Sequence, residues 1–257
     1  MTAKDILLRP IDVQTANALV RRVHYSHKVV NNSQIHIGVF YRGKLEGAMQ
    51  FGPSLDKRKM IGLVKGTKWN EFIELNRLAF TDVLPRNSES RALAVAMRLL
   101  RNHAPHLKWV VTFADGTQCG DGTIYRAAGF VLTSVKRNTD LMLMPDDAVI
   151  HKTTFMNGSN GGGRMKRKYG FRESEGDSRF VRRVGATPLP GFQLRYLYFL
   201  DPSCKDRLTV PILPYSAIEK AGAGMYRGQS RAGVVQTEEH ALQCETALQS
   251  DPPALSS

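Results

Sequence analysis

Cysteine is scarce in this sequence, with three residues among 257. Cys119, Cys204 and Cys244 cannot all pair within one chain, and no two of them have the CxxC spacing. The sequence therefore favours neither a disulfide framework nor a thiolate zinc site. Such cysteine usage is typical of a reducing compartment, so we expect the protein to act in the cytoplasm.

Long apolar runs are also missing. The N-terminal residues MTAKDILLRPID carry charges where a signal peptide needs an apolar segment. No stretch of the chain approaches the ~20 consecutive apolar residues that a membrane-spanning helix requires. We therefore expect no membrane partner.

Acidic residues are too few to balance the basic ones. The chain has 36 Lys and Arg against 23 Asp and Glu, which gives a formal net charge of +13. Such an excess is typical of proteins that bind polyanions, and it favours nucleic acid as the partner.

The hydrophobic pattern from residue 5 to about residue 143 alternates between strands and helices. Period-two or continuous apolar patterns predict strands at 6–11, 35–41, 46–52, 72–80, 108–115 and 130–135. Helical spacing predicts helices at 16–25, 87–102 and 122–129. A further strand at 192–200 could return to the same sheet. The order βαβββαβαβ predicts an α/β fold with a mixed central sheet and flanking helices.

Positive charge is concentrated after this patterned region. The glycine-rich segment NGSNGGG at 157–163 predicts a hinge. A basic arm follows, and its candidate DNA-binding residues are Arg164, Lys166, Arg167, Lys168, Arg172, Arg182 and Arg183, with Arg179 between them. We expect a catalytic domain at 1–150, the hinge, arm and returning strand at 151–205, and a weakly ordered tail at 206–257.

PRNSES, residues 85–90, stands between a predicted strand and a predicted helix. The free amide groups of a helix N-terminus can hold a phosphate, with Arg86, Ser88, Ser90 and Arg91 beside it. Glu89 in the first turn opposes an anion there. A plain helix cap, made by Asn87 or Ser88, is the alternative.

Arg77 lies in the middle of the strand ELNRLAF. Strict alternation places Glu74 and Asn76 on the face opposite to Arg77 and Leu75. Because an unpaired buried guanidinium is costly, Arg77 needs an acid or phosphate partner. A structural ion pair and donor binding both satisfy that need.

Asp115 ends a buried strand in FADG, at the edge where open α/β sheets place ligands. A catalytic carboxylate and a turn-forming aspartate are both consistent with this position. Tyr125 in the next helix could donate a proton, stack on a base or simply pack. Cys119 in the intervening loop has no evident cationic partner and is a poor candidate nucleophile.

HYSHK, residues 24–28, follows the first helix and can present a base and an acid together. His24 and Tyr25 project about 100° apart, and His27 lies about one turn beyond His24. Histidine titrates near neutrality, which suits general-base catalysis. His24, His27 and Asp115 could also hold a metal, but this spacing is a weak signal and we expect none.

HYS, NRLAF, PRNSES and the FADG block through GTIYRAAG together resemble the Mom family of Mu-like bacteriophages, over roughly residues 5–200. The resemblance implies a fold related to GNAT acyltransferases. It also implies a DNA-modifying activity that places a carbamoylmethyl group on the exocyclic nitrogen of adenine and so evades host restriction. On this basis we expect His24, Tyr25, Asp115 and Tyr125 to be catalytic, and Arg77, Arg86, Ser88, Ser90 and Arg91 to bind the donor.

The resemblance makes double-stranded DNA the expected partner, and it leaves a homodimer open. The donor is either acetyl-CoA or an activated glycyl group such as glycyl-tRNA, in which case tRNA is a second partner. A conventional GNAT N-acetyltransferase acting on a small amine or protein is one alternative function. A non-catalytic DNA-binding protein is the other.

Overall fold

The computed structural model describes residues 2–152, 166–170, 177–226 and 229–230. Their contacts divide the chain into two compact units. The first unit comprises the described residues up to Val135 and those from Leu194 onward, and the second is Lys136–Gln193. This division follows packing, whereas the predicted boundaries at 150 and 205 follow expected function and stay a prediction.

A seven-stranded sheet forms the centre of the fold, in the order β1-β2-β3-β4-β5-β10-β6. Pairs β1/β2, β2/β3 and β3/β4 are antiparallel, and β4/β5 is parallel. The strand bounds are β1 Leu7–Pro10, β2 Ile35–Tyr41, β3 Lys44–Gly52, β4 Phe72–Phe80, β5 Trp109–Gly116, β6 Val131–Arg137 and β10 Phe192–Phe199.

The parallel strands β4 and β5 pair with each other only in their N-terminal halves. Phe72, Ile73 and Glu74 pair with residues 109–111, and no register partners follow although both strands continue. The Thr112 hydroxyl still donates to the Leu75 carbonyl oxygen (3.3 Å). Beyond this level the two strands therefore separate, and their C-terminal halves flank an opening in the sheet.

Helices cover the sheet: α1 Val13–Val23, α2 Lys57–Ile61, α3 Ser88–His103 and α4 Thr123–Ala127. Asp12 begins α1 by accepting the Thr15 backbone N–H (2.8 Å), and the helix buries Ala16, Leu19 and Val20. On α3 the buried side chains recur at helical spacing, and they are Ser88, Ala92, Leu93, Ala96, Met97 and Leu100. Each helix is thus held by one apolar stripe against the sheet.

The predicted α/β class and mixed sheet with flanking helices are confirmed. The strand predicted at 192–200 does return, as β10, and it lies between β5 and β6 rather than at an edge. The sequence did not predict α2, because its five residues are too short to show a helical period.

The second unit contains a small sheet in the order β8-β7-β9, with β7 Leu141–Leu143, β8 Val149–His151 and β9 Thr187–Pro188. Helix α5, Asp177–Arg183, places Phe180 in an apolar cluster with Met142, Met144 and Ile150. The predicted hinge at 157–163 lies outside the described residues, as do Arg164 and Arg172.

Residues 206–226, which the sequence assigns to the tail, belong to the first unit. Leu208 and Leu213 form β-bridges with Val64 and Leu132, and the Tyr215 hydroxyl donates to the Phe130 carbonyl oxygen (2.7 Å). Helix α6, Ser216–Lys220, and a short pair formed by β11 Met225–Tyr226 and β12 Gln229–Ser230 follow. Isolated apolar residues hold this segment, so no periodic pattern revealed it. Within the described ranges no helix is long and apolar enough to cross a bilayer.

Candidate active site

The end of α1 positions the HYSHK motif. The helix ends at Val23, two residues earlier than predicted, and His24 is its C-cap, donating its backbone N–H to the Val20 carbonyl oxygen (3.0 Å). His27 adopts a left-handed conformation with φ of 51° and donates its Nδ1–H to the Arg21 carbonyl oxygen (2.8 Å). His27 therefore satisfies a carbonyl group of the last turn of the helix.

His24 is buried and held in one tautomer. The Ser26 backbone N–H donates to its Nδ1 at 3.1 Å, and the Ser26 hydroxyl lies 2.9 Å from the same atom. Burial, with the nearby charges of Arg77 and His27, lowers its pKa to about 4. At neutral pH the ring is therefore uncharged, and its remaining proton is on Nε2. This arrangement makes Nε2 a hydrogen-bond donor, which does not suit the general-base role expected from the sequence.

Tyr25, in the loop after α1, and Asp115, near the end of β5, lie next to each other. Tyr25 is 43% exposed, and its ring lies 4.3 Å from that of His24. Burial of its hydroxyl, followed by the charge of Asp115 and a hydrogen bond to it, raises the pKa of Tyr25. Asp115 also accepts the Thr117 backbone N–H (3.0 Å) and the Thr117 hydroxyl. The Asp115 carboxyl group thus lies beside an exposed aromatic ring.

Arg77 joins the same group. It donates from Nε to the Lys28 carbonyl oxygen and from Nη1 to the Asn76 carbonyl oxygen, each at 2.7 Å. Its charge also lowers the pKa of His24. Arg77 therefore fixes the loop after α1 and supplies positive charge there. We define His24, Tyr25, Arg77 and Asp115 as the catalytic cluster.

A bulge in β4 affects the predicted facing of these side chains. In the β3/β4 register Gln50 pairs with Arg77 and Phe51 pairs with Leu75, so Asn76 is the extra residue. The prediction that Glu74 and Arg77 lie on opposite faces assumed strict alternation of side chains. The bulge interrupts that alternation between the two residues. Burial raises the pKa of Glu74, while Ser54, Asn76 and Arg77 oppose that shift.

Tyr125 and Cys119 lie next to the cluster but are poorly suited to stacking or nucleophilic attack. The Tyr125 ring packs against Phe130 and Tyr196, and burial raises its pKa to about 12. Its hydroxyl bonds to Thr112. Burial, together with Asp115 and Glu89, raises the pKa of the Cys119 thiol, which disfavours the nucleophilic thiolate.

The N-terminus of α3 lacks the side-chain cap that the sequence offered as an alternative. Asn87 is at the N-cap position with φ of 69° and makes no capping hydrogen bond. Ser88 is 1% exposed, and its Oγ has no hydrogen-bond partner among the described residues. Ser90 donates its hydroxyl to the Asn87 carbonyl oxygen (3.2 Å). This end of the helix therefore retains unsatisfied donors, which is what an anion site needs.

A cleft of about 600 Å³ opens beside this helix end. We name it the basic cleft, and its polar lining residues are Thr2, Lys4, Arg86, Asn87, Ser90, Arg91 and Arg98. The expected donor residues Arg86, Ser90 and Arg91 line it, whereas the buried Ser88 does not, and Arg77 belongs to the catalytic cluster.

Two residues of this cleft were missed by the sequence. Arg98 follows Arg91 by seven positions, so helical spacing alone could have placed both on one face. Lys4 comes from a 3₁₀ turn at Ala3–Asp5, and nothing in its sequence links it to α3. Among the described residues, no three His, Cys, Asp or Glu side chains are grouped as metal ligands.

The expected DNA-binding arm is described in part. Lys166, Arg167 and Lys168 belong to the second unit, where Lys168 pairs with Asp146 at 2.5 Å. Arg183 donates to the Gly170 carbonyl oxygen at 2.6 Å. Arg167, Arg179 and Arg182 are exposed. Lys168 and Arg183 thus have structural partners within the unit.

Comparison with known proteins gives matches of two kinds. Among solved structures, the chain resembles an IAA acetyltransferase from Bacillus cereus (9% identity, TM-score 0.41, 76% of this chain and 99% of that one). It also resembles the ribosomal-protein-S18-alanine N-acetyltransferase of Escherichia coli (9% identity, TM-score 0.40, 76% and 94%).

The sequence matches are more specific. The chain is 31% identical over 211 residues to the methylcarbamoylase Mom of Escherichia phage Mu, and the match covers 82% of each protein. The model of the Mom protein family matches residues 5–217, which contain the catalytic cluster and the basic cleft apart from Thr2, Ala3 and Lys4. The chain therefore belongs to the Mom protein family.

Proposed function

We propose that this protein is a DNA-modification transferase that converts adenine to N6-carbamoylmethyladenine and so protects phage DNA from host restriction. The observation that carries the proposal is the catalytic cluster, in which the Asp115 carboxyl group, an exposed aromatic ring and a neutral imidazole donor meet beside the opening between β4 and β5. Membership of the Mom family, with its methylcarbamoylase relative, supports the assignment of the chemistry.

In the proposed reaction, the adenine is extruded from the DNA and stacks on the Tyr25 ring. The Asp115 carboxylate accepts a proton from N6 as that nitrogen attacks the carbonyl carbon of the donor. The His24 Nε2–H donates a hydrogen bond to the oxygen on which negative charge develops, and Arg77 adds positive charge nearby. The role of His24 differs from the general base expected from sequence because its Nδ1 is already occupied, whereas proton acceptance by Asp115 is one of the roles that the sequence left open.

The basic cleft would bind the phosphates of the donor. Its arginines and the Ser90 hydroxyl suit the pyrophosphate of CoA or a phosphodiester of RNA. A glycyl ester accounts for the product with balanced atoms. N6 forms an amide with the glycyl carbonyl carbon, the ester C–O bond breaks, and the leaving hydroxyl takes the proton.

An isomerisation completes the glycyl route. The glycine amine attacks C6 of the ring, the C6–N6 bond breaks, and the released nitrogen becomes the terminal amide. The product is N6-carbamoylmethyladenine without oxidant or further nitrogen. We therefore favour glycyl-tRNA over acetyl-CoA, since an acetyl group would need both an oxidant and a further nitrogen source to give this product.

Labelling tests the donor. Cells that express the protein are given glycine labelled at nitrogen, and the modified nucleoside is fragmented in a mass spectrometer. The glycyl route places the label on the nitrogen bonded to the ring. Label in the terminal amide, or none at all, would eliminate that route.

The nucleosides of plasmid DNA from the same cells separate the three candidate functions. A carbamoylmethylated adenosine supports the transferase. Unaltered nucleosides with acetylation of an amine or protein would indicate a conventional N-acetyltransferase. If the nucleosides are unaltered and the protein binds DNA, the result would indicate a non-catalytic DNA-binding protein.

A further inference from the structure

Basic and aromatic side chains share an exposed surface in the segment between β3 and β4, which none of the roles above uses. The inner side of this segment is anchored, because Met60, Leu63 and Val64 pack with Phe72 and Trp109 in a buried apolar cluster. The segment is therefore held on a packed base. Its exposed or half-buried side chains include Leu55, Lys57, Arg58, Lys59, Lys65, Lys68 and Trp69, and we name them together the Trp69 surface.

Trp69 gives this surface an aromatic face. Its side chain is 52% exposed, and the neighbouring Leu55 is 71% exposed. The Lys57 ammonium lies 4.6 Å from the centroid of the Trp69 ring and 5.6 Å from that of Phe72. The contact with Lys57 holds the indole in place while leaving half of it open to a ligand.

The charge of the surface is mainly positive. Arg58, Lys59, Lys65 and Lys68 are all exposed. The carboxylates of Asp56 and Glu71 are turned to the backbone, where they accept the N–H groups of Lys59 (3.2 Å) and Lys68 (2.8 Å). A ligand of this surface must therefore be anionic and must also offer a flat apolar face.

The Trp69 surface and the catalytic cluster lie at opposite ends of the same two strands. Trp69 precedes the start of β4, and Asp115 is near the end of the parallel strand β5, six residues beyond Trp109. At about 3.3 Å per residue, the separation along the sheet is roughly 20 Å. The loop that begins at Tyr25 runs between these ends, since Asn32 donates to the Pro53 carbonyl oxygen (3.4 Å) next to Leu55.

We propose that the Trp69 surface binds a single-stranded segment of the DNA that the catalytic cluster modifies. Trp69 stacks on an unpaired base, and the surrounding lysines and arginine contact the flanking phosphates. Bases in a duplex are already stacked on each other, so an indole platform gains most from an unpaired one. This inference rests on the proposed function only for the identity of the polymer.

Intrinsic fluorescence tests the proposal directly. The chain has two tryptophans, and Trp109 is fully buried and stacked on Phe72 at 4.4 Å. Quenching by an added nucleic acid therefore reports Trp69. The full chain carrying Asp115→Asn is titrated, without any donor, with a short single-stranded oligodeoxynucleotide, the matching duplex and the matching RNA strand.

Three substitutions locate the binding. We expect saturable quenching by the single-stranded DNA. Because the variants lack the Trp69 signal, their binding is measured by fluorescence anisotropy of a labelled strand. Trp69→Leu should raise Kd about tenfold, whereas Trp69→Phe should largely retain binding. Lys68→Gln should weaken binding a few-fold. The matched control Lys220→Gln, an exposed lysine on α6, should leave Kd unchanged.

Absence of quenching at saturation would overturn the proposal, and so would equal quenching by the duplex. Tighter binding of the RNA strand than of the DNA would also overturn it, by assigning the surface to RNA. Because the titration needs no reaction, its outcome is separate from the proposed function. Unmodified DNA in expressing cells together with intact quenching would refute the proposed function and support this surface.

Discussion

At the scale of single residues, the state of His24 explains most of what the site can do. The Ser26 backbone N–H occupies Nδ1, and burial lowers the pKa to about 4. The imidazole is therefore a fixed, neutral donor across the physiological range. In the proposed reaction the proton-accepting role therefore passes to Asp115, which is partly exposed at the end of β5.

The lowered pKa of His24 predicts a dependence of stability on pH. The unfolded chain takes up a proton near pH 6.5, whereas the folded chain does not until about pH 4, so the stability is complete above pH 6.5 and falls as the pH drops toward 4. Between pH 7 and pH 5 this residue should cost about 2 kcal/mol.

Urea denaturation of wild type and His24→Gln at the two pH values measures this loss. The variant should lose about 2 kcal/mol less than wild type on going from pH 7 to pH 5. His103→Gln, at an exposed position on α3, is the control and should behave like wild type. An equal loss of stability in wild type and His24→Gln would show that His24 has the same pKa in the folded and the unfolded chain.

Tyr25 has two separable roles. Tyr25→Phe keeps the ring and removes the hydroxyl beside Asp115, so we expect KM to be retained and kcat to fall about tenfold, the effect of about 1.4 kcal/mol on the barrier. Tyr25→Ala should also raise KM for DNA about tenfold, because stacking is lost. Steady-state kinetics on a DNA substrate distinguishes the two. If both variants share one KM, stacking on Tyr25 is wrong.

At the scale of elements, the start of α3 combines a stability defect with a proposed binding role. The buried Ser88 hydroxyl has no partner among the described residues, and an unsatisfied polar group costs about 1 kcal/mol or more. Ser88→Ala should therefore increase the free energy of unfolding by about that amount. Ser90→Ala, which removes a bond to Asn87 and a hydroxyl that lines the basic cleft, should instead be mildly destabilising and lower the rate of modification.

Chemical denaturation and modification assays on the same two variants test this pairing. A loss of stability in Ser88→Ala would mean that the hydroxyl has a partner, and the helix end would then lose its main support as an anion site.

The helices and strands also show which features of the fold can be predicted from the sequence. The strand predicted at 72–80 agrees with β4 at both ends, and the apolar stripe of α3 agrees with its periodicity. The bulge at Asn76 was not predictable, because it depends on the register with β3 rather than on any feature of ELNRLAF itself.

The same distinction applies to the candidate site. His24, Tyr25 and Asp115 were expected to be catalytic because HYS and the FADG block resemble the Mom family, and the structure brings all three together. The state of His24 was not predictable, since it depends on burial and on a backbone N–H two residues away. For Tyr125 the sequence left proton donation, stacking on a base and simple packing open, and its packing on Tyr196 was not predictable because Tyr196 comes from a distant segment.

At the scale of the whole molecule, the charge of +13 predicts steep salt dependence of DNA binding. Arg167 and Arg182 are exposed in the second unit, whereas Lys168 is paired with Asp146. Arg167→Gln combined with Arg182→Gln should reduce the slope of log Kd against log salt by about two, since each phosphate contact contributes about 0.9. Kd for duplex DNA over a salt series measures this, and an unchanged slope would exclude both arginines from phosphate contacts.

The central claim is that Asp115 takes a proton from adenine in DNA, and one measurement tests it most directly. DNA from cells expressing wild type, Asp115→Asn or the exposed control Asp147→Asn is digested, and the adenosine fraction is weighed by mass spectrometry. We predict a carbamoylmethylated adenosine in wild type and in Asp147→Asn, and a reduction of about a hundredfold or more in Asp115→Asn. Equal modification by wild type and Asp115→Asn, or adenosine of unaltered mass in wild type, would contradict the account.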